Sequence, residues 1–169
     1  SLLASTAETA DWNWDAIHCN FGRTVIRIQR SRTVSVSRYG SHKIGRVFSS
    51  IYRHNIWASS DSLSGPGSGL SQTARVRSEL PRLFSDYAVR SVLDVGCGDF
   101  SWLREVDLSG IDYHGIDVVE TVVQSNSERI DRTGVRFSVL DATRDQLPQV
   151  DLILCRDCLV HLSNRETLG

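Results

Sequence analysis

The stretch that decides the fold runs Val92-Leu93-Asp94-Val95-Gly96-Cys97-Gly98-Asp99-Phe100. Its apolar residues predict a buried strand that carries an acid, and the Gly-x-Gly behind it predicts a tight turn. Glycine has no Cβ, so two glycines let the backbone turn sharply and approach a ligand closely. A helix that opens behind this turn would offer free N–H groups at its N-terminus. The stretch therefore predicts a strand, a turn and a helix around a ligand site.

Strand and helix patterns alternate on both sides of this turn. We predict strands over 91–95, 113–117, 135–140 and 151–155. Helices are predicted from Thr73 onward (with a kink or fresh start at Pro81), over 101–106 and over 119–130. Strands separated by helical crossovers form parallel sheets, so we expect an α/β fold with helices on both faces of the sheet.

Acidic residues stand at the carboxyl ends of three of these strands. Asp117 closes the second strand, nineteen residues after Gly98, where a nucleoside-binding fold places the acceptor for the ribose hydroxyls. Asp141 follows the third strand. Each acid alone is readily explained as a cap or a surface residue, but capping does not readily explain all three together.

A dehydrogenase that binds a nicotinamide dinucleotide is one interpretation of this turn. Its fingerprint is G-x-G-x-x-G, but position 101 is a serine. Asp94 and Asp99 together would also repel a pyrophosphate, whereas Asp94 suits a cofactor with an ammonium group. The charges therefore favour an aminoacyl nucleoside over a dinucleotide.

The same residues carry a family resemblance. Asp94-x-Gly96-x-Gly98 resembles motif I of the class I (Rossmann-like) S-adenosylmethionine-dependent methyltransferases, and residues 151–155 resemble their motif IV. The chain is similar, over about residues 64–163, to a bacterial subgroup of small-molecule or saccharide-type methyltransferases. The resemblance implies S-adenosyl-L-methionine as cofactor, with ribose held by Asp117 and the adenine amine contacted at Asp141-Ala142. The cofactor-binding residues that it implies are Asp94, Gly96, Cys97, Gly98, Asp117, Val118, Asp141, Ala142 and Arg156.

The family fold has seven strands, of which this sequence supplies four. We therefore expect a sheet that is truncated after the fourth strand, with an open edge that invites self-association and with little turnover by this piece alone. We divide the chain into a basic N-terminal extension, residues 1–60, and a methyltransferase core, residues 61–169.

The N-terminal extension contains eight basic residues and no acidic one between residues 17 and 60. It is either a surface that touches an anionic group or a solvated arm, and no motif for reading nucleic acid accompanies it. Alternation over 24–36 predicts a hairpin around 29–32, and the stripe Ile44, Val47, Phe48, Ile51 and Tyr52 predicts a helix. Residues 59–71 have the composition of a flexible linker, placed where they could also cover a cofactor.

Asp157 and His161 are the candidates for chemistry on the methyl acceptor. If residues 157–161 are helical, the two side chains share one face. Histidine can take up a proton near neutrality, and an acid beside it can orient the ring. Ubiquinone-type O-methyltransferases resemble this stretch and bind a divalent ion there, but Val160 replaces the second acid, so we expect no metal.

We therefore expect O-methylation of a small molecule or sugar; nucleic acid is not the expected partner. A non-catalytic cofactor-binding or interaction module is the alternative, ahead of an NAD-dependent dehydrogenase. Cys155 and Cys158 form a C-x-x-C without a second pair, so we interpret them as unpaired core residues rather than a metal knuckle. Cysteines without a disulfide framework, and no apolar run long enough to cross a bilayer, predict a cytoplasmic protein without a membrane span.

Overall fold

The computed structural model of the chain describes residues 24–28, 42–158 and 161. The helices are α1 (His42–His54), α2 (Leu70–Asp86) and α3 (Glu120–Arg129). The strands are β1 (Thr24–Ile28), β2 (Ser91–Val95), β3 (Asp112–Asp117), β4 (Val135–Val139) and β5 (Leu152–Arg156). Short 3₁₀ turns occupy Pro66–Ser68 and Leu103–Glu105. Among the described residues, no helix has the length and apolar character needed to cross a bilayer.

The five strands form one sheet in the order β1-β5-β2-β3-β4. Strands β2, β3, β4 and β5 are parallel, which confirms the predicted α/β fold. Strand β1 pairs antiparallel with β5, with Thr24 opposite Arg156 and Ile28 opposite Leu152. The expectation of an open edge on the fourth predicted strand is therefore wrong, because β1 satisfies the backbone groups along that edge. The predicted hairpin partner of β1, residues 34–36, lies outside the described residues.

Alternation along the strands sends side chains into two apolar clusters on opposite faces of the sheet. One cluster joins Val92, Tyr113 and Leu154 to the buried side of α2. The other contains Leu93 and Cys155, and its covering residues include segment 140–150 and Cys158. Two buried faces explain why β2 and β5 are apolar at most positions.

Some predicted details are corrected by the structure. Helix α2 is continuous through Pro81, so no fresh start occurs there. The helix predicted over 101–106 is only the 3₁₀ turn. Helix α1 is confirmed, but Val47 in its stripe is exposed. The 59–71 stretch is not a free linker, because its backbone and side chains bind the core, as described below.

Candidate functional site

A cavity of about 320 Å³ opens at the carboxyl edge of the parallel strands. This is the edge at which open α/β sheets bind their ligands, because the loops that follow the strands converge there. Its floor is formed by the ends of β2, β3 and β5 and by residues after β4, and helix α1 and residues 57–68 cover it. Every predicted site residue lines the cavity except Gly98: Asp94, Gly96, Cys97, Asp117, Val118, Asp141, Ala142, Arg156, Asp157 and His161.

Asp94 stands in β2 at the floor of this cavity and is buried. The phenol of Tyr113, on neighbouring β3, donates a 2.6 Å hydrogen bond to its carboxylate. Burial raises the pKa of Asp94 to about 7, the Tyr113 hydrogen bond opposes that rise, and the charge of Asp117 adds to it. A cationic ligand group would relieve the cost of ionising this carboxyl group.

Asp117 ends β3 and receives one backbone N–H at each carboxylate oxygen. The N–H of Gly98 donates to Oδ2 and that of Val119 donates to Oδ1, both at 3.0 Å. Burial raises the pKa of Asp117, and these backbone hydrogen bonds act in the opposite direction. Each oxygen retains a lone pair, so the carboxylate is oriented and can still accept two hydroxyl groups side by side.

The glycine turn does not present the free N–H groups that the sequence suggested. The amides of Gly96 and Cys97 both donate to the carbonyl of Ile116, at 2.9 and 3.0 Å. The amide of Gly98 donates to Asp117, and that of Asp99 donates to the hydroxyl of Ser64 at 3.0 Å. No α-helix begins behind the turn in the described chain. The expectation of an anion-binding helix end is therefore wrong, and a pyrophosphate would find no donors here.

The two glycines make room for the protein's own side chains. A Cβ at Gly98 would lie 2.1 Å from Ser64 Oγ and 2.9 Å from the Tyr52 hydroxyl, and one at Gly96 would lie 3.0 Å from Cys158 Cβ. The backbone φ angle is 71° at Gly96 and 56° at Gly98, a left-handed conformation that favours glycine. Both positions therefore need glycine for conformation and for packing of the residues above the turn.

Asp141 lies beyond β4, where it caps a local turn. Its Oδ1 accepts the backbone N–H and the hydroxyl of Thr143, at 2.9 and 2.6 Å, and Arg144 Nε lies 3.6 Å from Oδ2. Capping therefore fixes the orientation of this acid at the cavity wall. Ala142 lines the cavity beside it and, with Val118 and Leu140, provides an apolar slot.

Arg156, the last residue of β5, is a buried cation of the cavity. Its side chain is 8% exposed, and Nη2 donates a 2.5 Å hydrogen bond to the carbonyl of Gly67. Nη1 lies 3.8 Å from Asp157 Oδ2, and the guanidinium carbon lies 6.0 Å from the centre of the Trp102 ring. The cavity therefore combines several carboxylates with one guanidinium group, the pattern of a site for a zwitterionic ligand.

Residues 62–68, which we call the roof segment, lie over the glycine turn. The hydroxyl of Tyr52 on α1 is 2.8 Å from that of Ser64, and the Trp57 ring packs under Gly65, whose Cβ would lie 3.2 Å from it. The hydroxyls of Ser62 and Ser64 donate to the carboxylate of Asp99. The roof segment is thus attached to α1, to the turn and, through Gly67, to β5.

Asp157 and His161 both line the cavity, but not as neighbours on a helix. The φ angle of Asp157 is 53°, so this residue is not in a right-handed helix and the argument from a shared helical face is wrong. Asp157 lies beside Arg156, whereas the His161 ring packs edge-on against Phe48 of α1, with ring centres 5.2 Å apart. Cys155 is buried in the second apolar cluster and Cys158 packs against it.

The sequence indicated that residues 59–71 could cover a cofactor, but it did not indicate the aromatic residues of α1 that cover the cavity with them. Phe48 and Tyr52 were assigned to an apolar stripe without a site, and Asp99 was considered only as a charge that repels pyrophosphate. The sequence does place aromatic residues at positions 48, 52 and 57 shortly before a serine- and glycine-rich segment, a pattern that could have indicated a cover for the cavity. The contacts that join these parts are separated by 12 to 37 residues in the chain, beyond the reach of local patterns.

Comparison with known families supports the assignment of this fold. Residues 92–168 match the family described as a methyltransferase domain. This part of the chain is therefore similar to a methyltransferase domain. The matched region begins in β2 at the glycine turn and extends past β5, so it contains the acid-bearing strand ends described above. This match also favours the methyltransferase interpretation over a dehydrogenase.

One curated relative and one solved structure illustrate the similarity. The chain is 25% identical over 84 residues to a ubiquinone biosynthesis O-methyltransferase from Rickettsia prowazekii (strain Madrid E); the alignment covers 48% of this chain. The chain spans about a third of that relative's length, 33%. A crystal structure of coclaurine N-methyltransferase bound to N-methylheliamine and SAH aligns with a TM-score of 0.36 and 14% identity. That alignment covers 64% of this chain and 40% of the other.

Proposed function

We propose that this chain binds S-adenosyl-L-methionine and belongs to an enzyme that transfers a methyl group to an oxygen atom of a small molecule. The observation that carries the proposal is the orientation of Asp117, which lines the cavity and whose two oxygens each accept a backbone N–H. A carboxylate held in this way suits a ribose diol, which presents two adjacent hydroxyl donors.

The remaining charges of the cavity fit the amino-acid part of this cofactor. Its ammonium group suits Asp94, whose buried carboxyl is costly to ionise without a cation nearby. Its carboxylate suits the guanidinium of Arg156, the buried cation at the end of β5. Opposite charges at two strand ends therefore match the two ends of a zwitterion.

The apolar slot suits the adenine ring. Val118, Leu140 and Ala142 would pack against its faces, and Asp141, held by Thr143, would accept from its exocyclic amine. The backbone amides of the turn are engaged within the protein, so a dinucleotide would lack the donors that its pyrophosphate requires.

The cofactor, when bound, supplies an electrophilic methyl group, and the chain's own residues align the acceptor and exclude water. His161 stands at the cavity wall and is the proposed general base for the acceptor hydroxyl. Phe48 fixes its ring edge-on, and Asp157 contributes negative charge beside Arg156. We propose hydroxyl groups of aromatic or saccharide molecules as acceptors, and the named O-methyltransferase relative supports an oxygen acceptor.

We propose a reducing compartment such as the cytoplasm, because Cys97 and Cys158 are free thiols. We assign no self-association surface to the chain, because β1 covers the edge of β5 on which that expectation depended.

A transfer assay tests the proposed activity. The protein is held in excess over methyl-labelled S-adenosylmethionine, so that a single slow turnover is detectable, and panels of phenols, saccharides and amines are added separately. Label on a hydroxyl oxygen is the expected result. Label only on nitrogen would refute the oxygen preference, and cofactor binding without transfer to any panel would favour a non-catalytic module.

A further inference from the structure

We propose that Asp99 is a positioning residue that keeps the roof segment closed over the cavity and thereby slows release of the cofactor. The inference rests on the proposed function, because it assigns a role in retaining that cofactor. It assigns Asp99 no contact with the reacting atoms.

Three consecutive residues of the roof segment bind the Asp99 carboxylate. The Ser62 hydroxyl lies 3.0 Å from both carboxylate oxygens, and the backbone N–H of Leu63 donates to Oδ2 at 2.7 Å. The Ser64 hydroxyl lies 3.1 Å from Oδ1. Hydrogen bonds to an ionised acceptor are about twice as strong as those between neutral groups, so this cluster is the main polar attachment of the segment.

The same carboxylate is anchored to the glycine turn from which it projects. Its Oδ1 accepts the backbone N–H of Ser101 at 3.2 Å, and the N–H of Asp99 itself donates to Ser64 Oγ at 3.0 Å. Most of the lone pairs of this carboxylate are thereby committed to protein donors. Asp99 lines the cavity, yet its hydrogen-bonding capacity is directed to the roof segment rather than to a ligand.

Closure of the roof segment determines the shape of the cavity. Residues 64–68 all line it, and their other attachments run to Tyr52 and Arg156. Leu63 is 45% exposed, so water can reach the outer side of the Asp99 cluster and replace its hydrogen bonds when the segment opens. The hydrogen bonds of Asp99 therefore hold the roof segment over the cavity, and they can break and re-form when the segment opens.

Hydrogen exchange tests the attachment without any ligand. In Asp99→Ala, the amides of Leu63, Ser64 and Gly65 should exchange at least about tenfold faster than in the unaltered protein, because their hydrogen bonds depend on the closed segment. Asp61→Ala is the matched control, since Asp61 is an exposed acid next to the same segment whose side chain bonds only to Ser60 among the described hydrogen bonds. Ser62→Ala removes the hydroxyl that Ser62 shares between the two Asp99 oxygens and leaves the turn intact, so it provides the test if Asp99→Ala fails to fold. Because Ser62 Oγ also accepts the N–H of Ser64, the amides of Leu63 and Gly65 are the readout in that variant.

Release of S-adenosylhomocysteine then tests the role in retention. Stopped-flow dissociation should be about tenfold faster in Asp99→Ala and Ser62→Ala than in Asp61→Ala, the change expected for losing hydrogen bonds to a charged group. Unchanged exchange, or faster exchange with unchanged dissociation, would overturn the proposal. Failure of the unaltered protein to bind S-adenosylhomocysteine would refute the proposed function and retention together, while exchange would still report on the attachment.

Discussion

The hydroxyl of Tyr113 donates to the carboxylate of Asp94 across the β2–β3 pair, at 2.6 Å and with both side chains buried. The register of the two strands places Val92 opposite Tyr113, so the phenol extends along the sheet toward its carboxyl edge to meet the acid. The bond therefore fixes Asp94 at the cavity floor. It also makes the ionisation of this acid depend on the fold.

The pH dependence of stability should reveal the buried Asp94. Burial raises its pKa to about 7, far above the ordinary value of an aspartate, so the native state keeps a proton that the unfolded chain releases. Stability of the ligand-free protein should therefore fall as the pH rises from about 4 to about 7, by an amount on the order of 4 kcal/mol. Asp94→Asn, which retains an acceptor for Tyr113, should make this fall smaller in urea unfolding measured at pH 5 and pH 8, and the raised pKa of Asp117 accounts for a part that remains.

Asp61→Asn provides the control for the loss of one charge, since that side chain is exposed. It should leave the pH dependence unchanged. A fall with pH in Asp94→Asn as large as in the unaltered protein would show that the titrating group is not Asp94.

Two glycine substitutions distinguish the loss of stability that comes from packing above the turn from the loss that comes from backbone strain. Gly98 and Gly110 both have positive φ, at 56° and 74°, but a Cβ at Gly110 would meet no atom within 4 Å. Gly110→Ala should cost about 1 kcal/mol through conformation alone. Gly98→Ala should cost at least about 1 kcal/mol more, because its Cβ would displace Ser64 and Tyr52. Equal losses in urea unfolding would mean that the roof segment does not pack on Gly98.

Substitution of His161 tests the proposed general base. His161→Ala should lower turnover by about 100-fold at saturating cofactor, with the affinity for S-adenosylhomocysteine intact. His161→Phe keeps an aromatic ring against Phe48 and should lose the same activity, which separates proton transfer from packing. Asp157→Asn should lose less, because Asp157 does not take the proton. Normal turnover in His161→Phe would remove His161 from the chemistry.

The core contribution of β5 can be measured at Leu154. This side chain is 1% exposed within the first apolar cluster, so Leu154→Ala should lower the free energy of unfolding by about 2–5 kcal/mol. Val139→Ala, at a position that is 47% exposed in β4, should cost much less. Equal effects in chemical unfolding would contradict the assignment of β5 to the sheet interior.

Local patterns predicted the parts of the fold that depend on neighbouring residues. The strand that carries Asp94 was recognisable because its apolar residues lead into the Gly-x-Gly turn, and helix α3 because its apolar residues repeat on one side. Patterns of this kind can be read from the sequence because the spacing of apolar residues follows the buried face of each strand or helix.

Other features depend on contacts between distant residues and could not be inferred in this way. The amides of Gly96 and Cys97 donate to the carbonyl of Ile116 because β2 and β3 pair at this point. The hydrogen bond from Ser62 to Asp99 joins residues that are 37 positions apart in the chain. The antiparallel pairing of β1 with β5 could not be predicted either, because an alternating pattern indicates a strand but does not specify its partner. The left-handed backbone of Asp157 likewise gave no signal in a stretch that reads as helical.

Calorimetry with S-adenosylhomocysteine and NAD tests most directly whether this cavity holds an aminoacyl nucleoside. The unaltered protein should bind S-adenosylhomocysteine and not NAD. Asp117→Ala should weaken that binding by about 1.5–3 kcal/mol, as expected for losing charge-assisted hydrogen bonds to a ribose diol. Tighter binding of NAD, or S-adenosylhomocysteine binding that is indifferent to Asp117→Ala, would contradict the account.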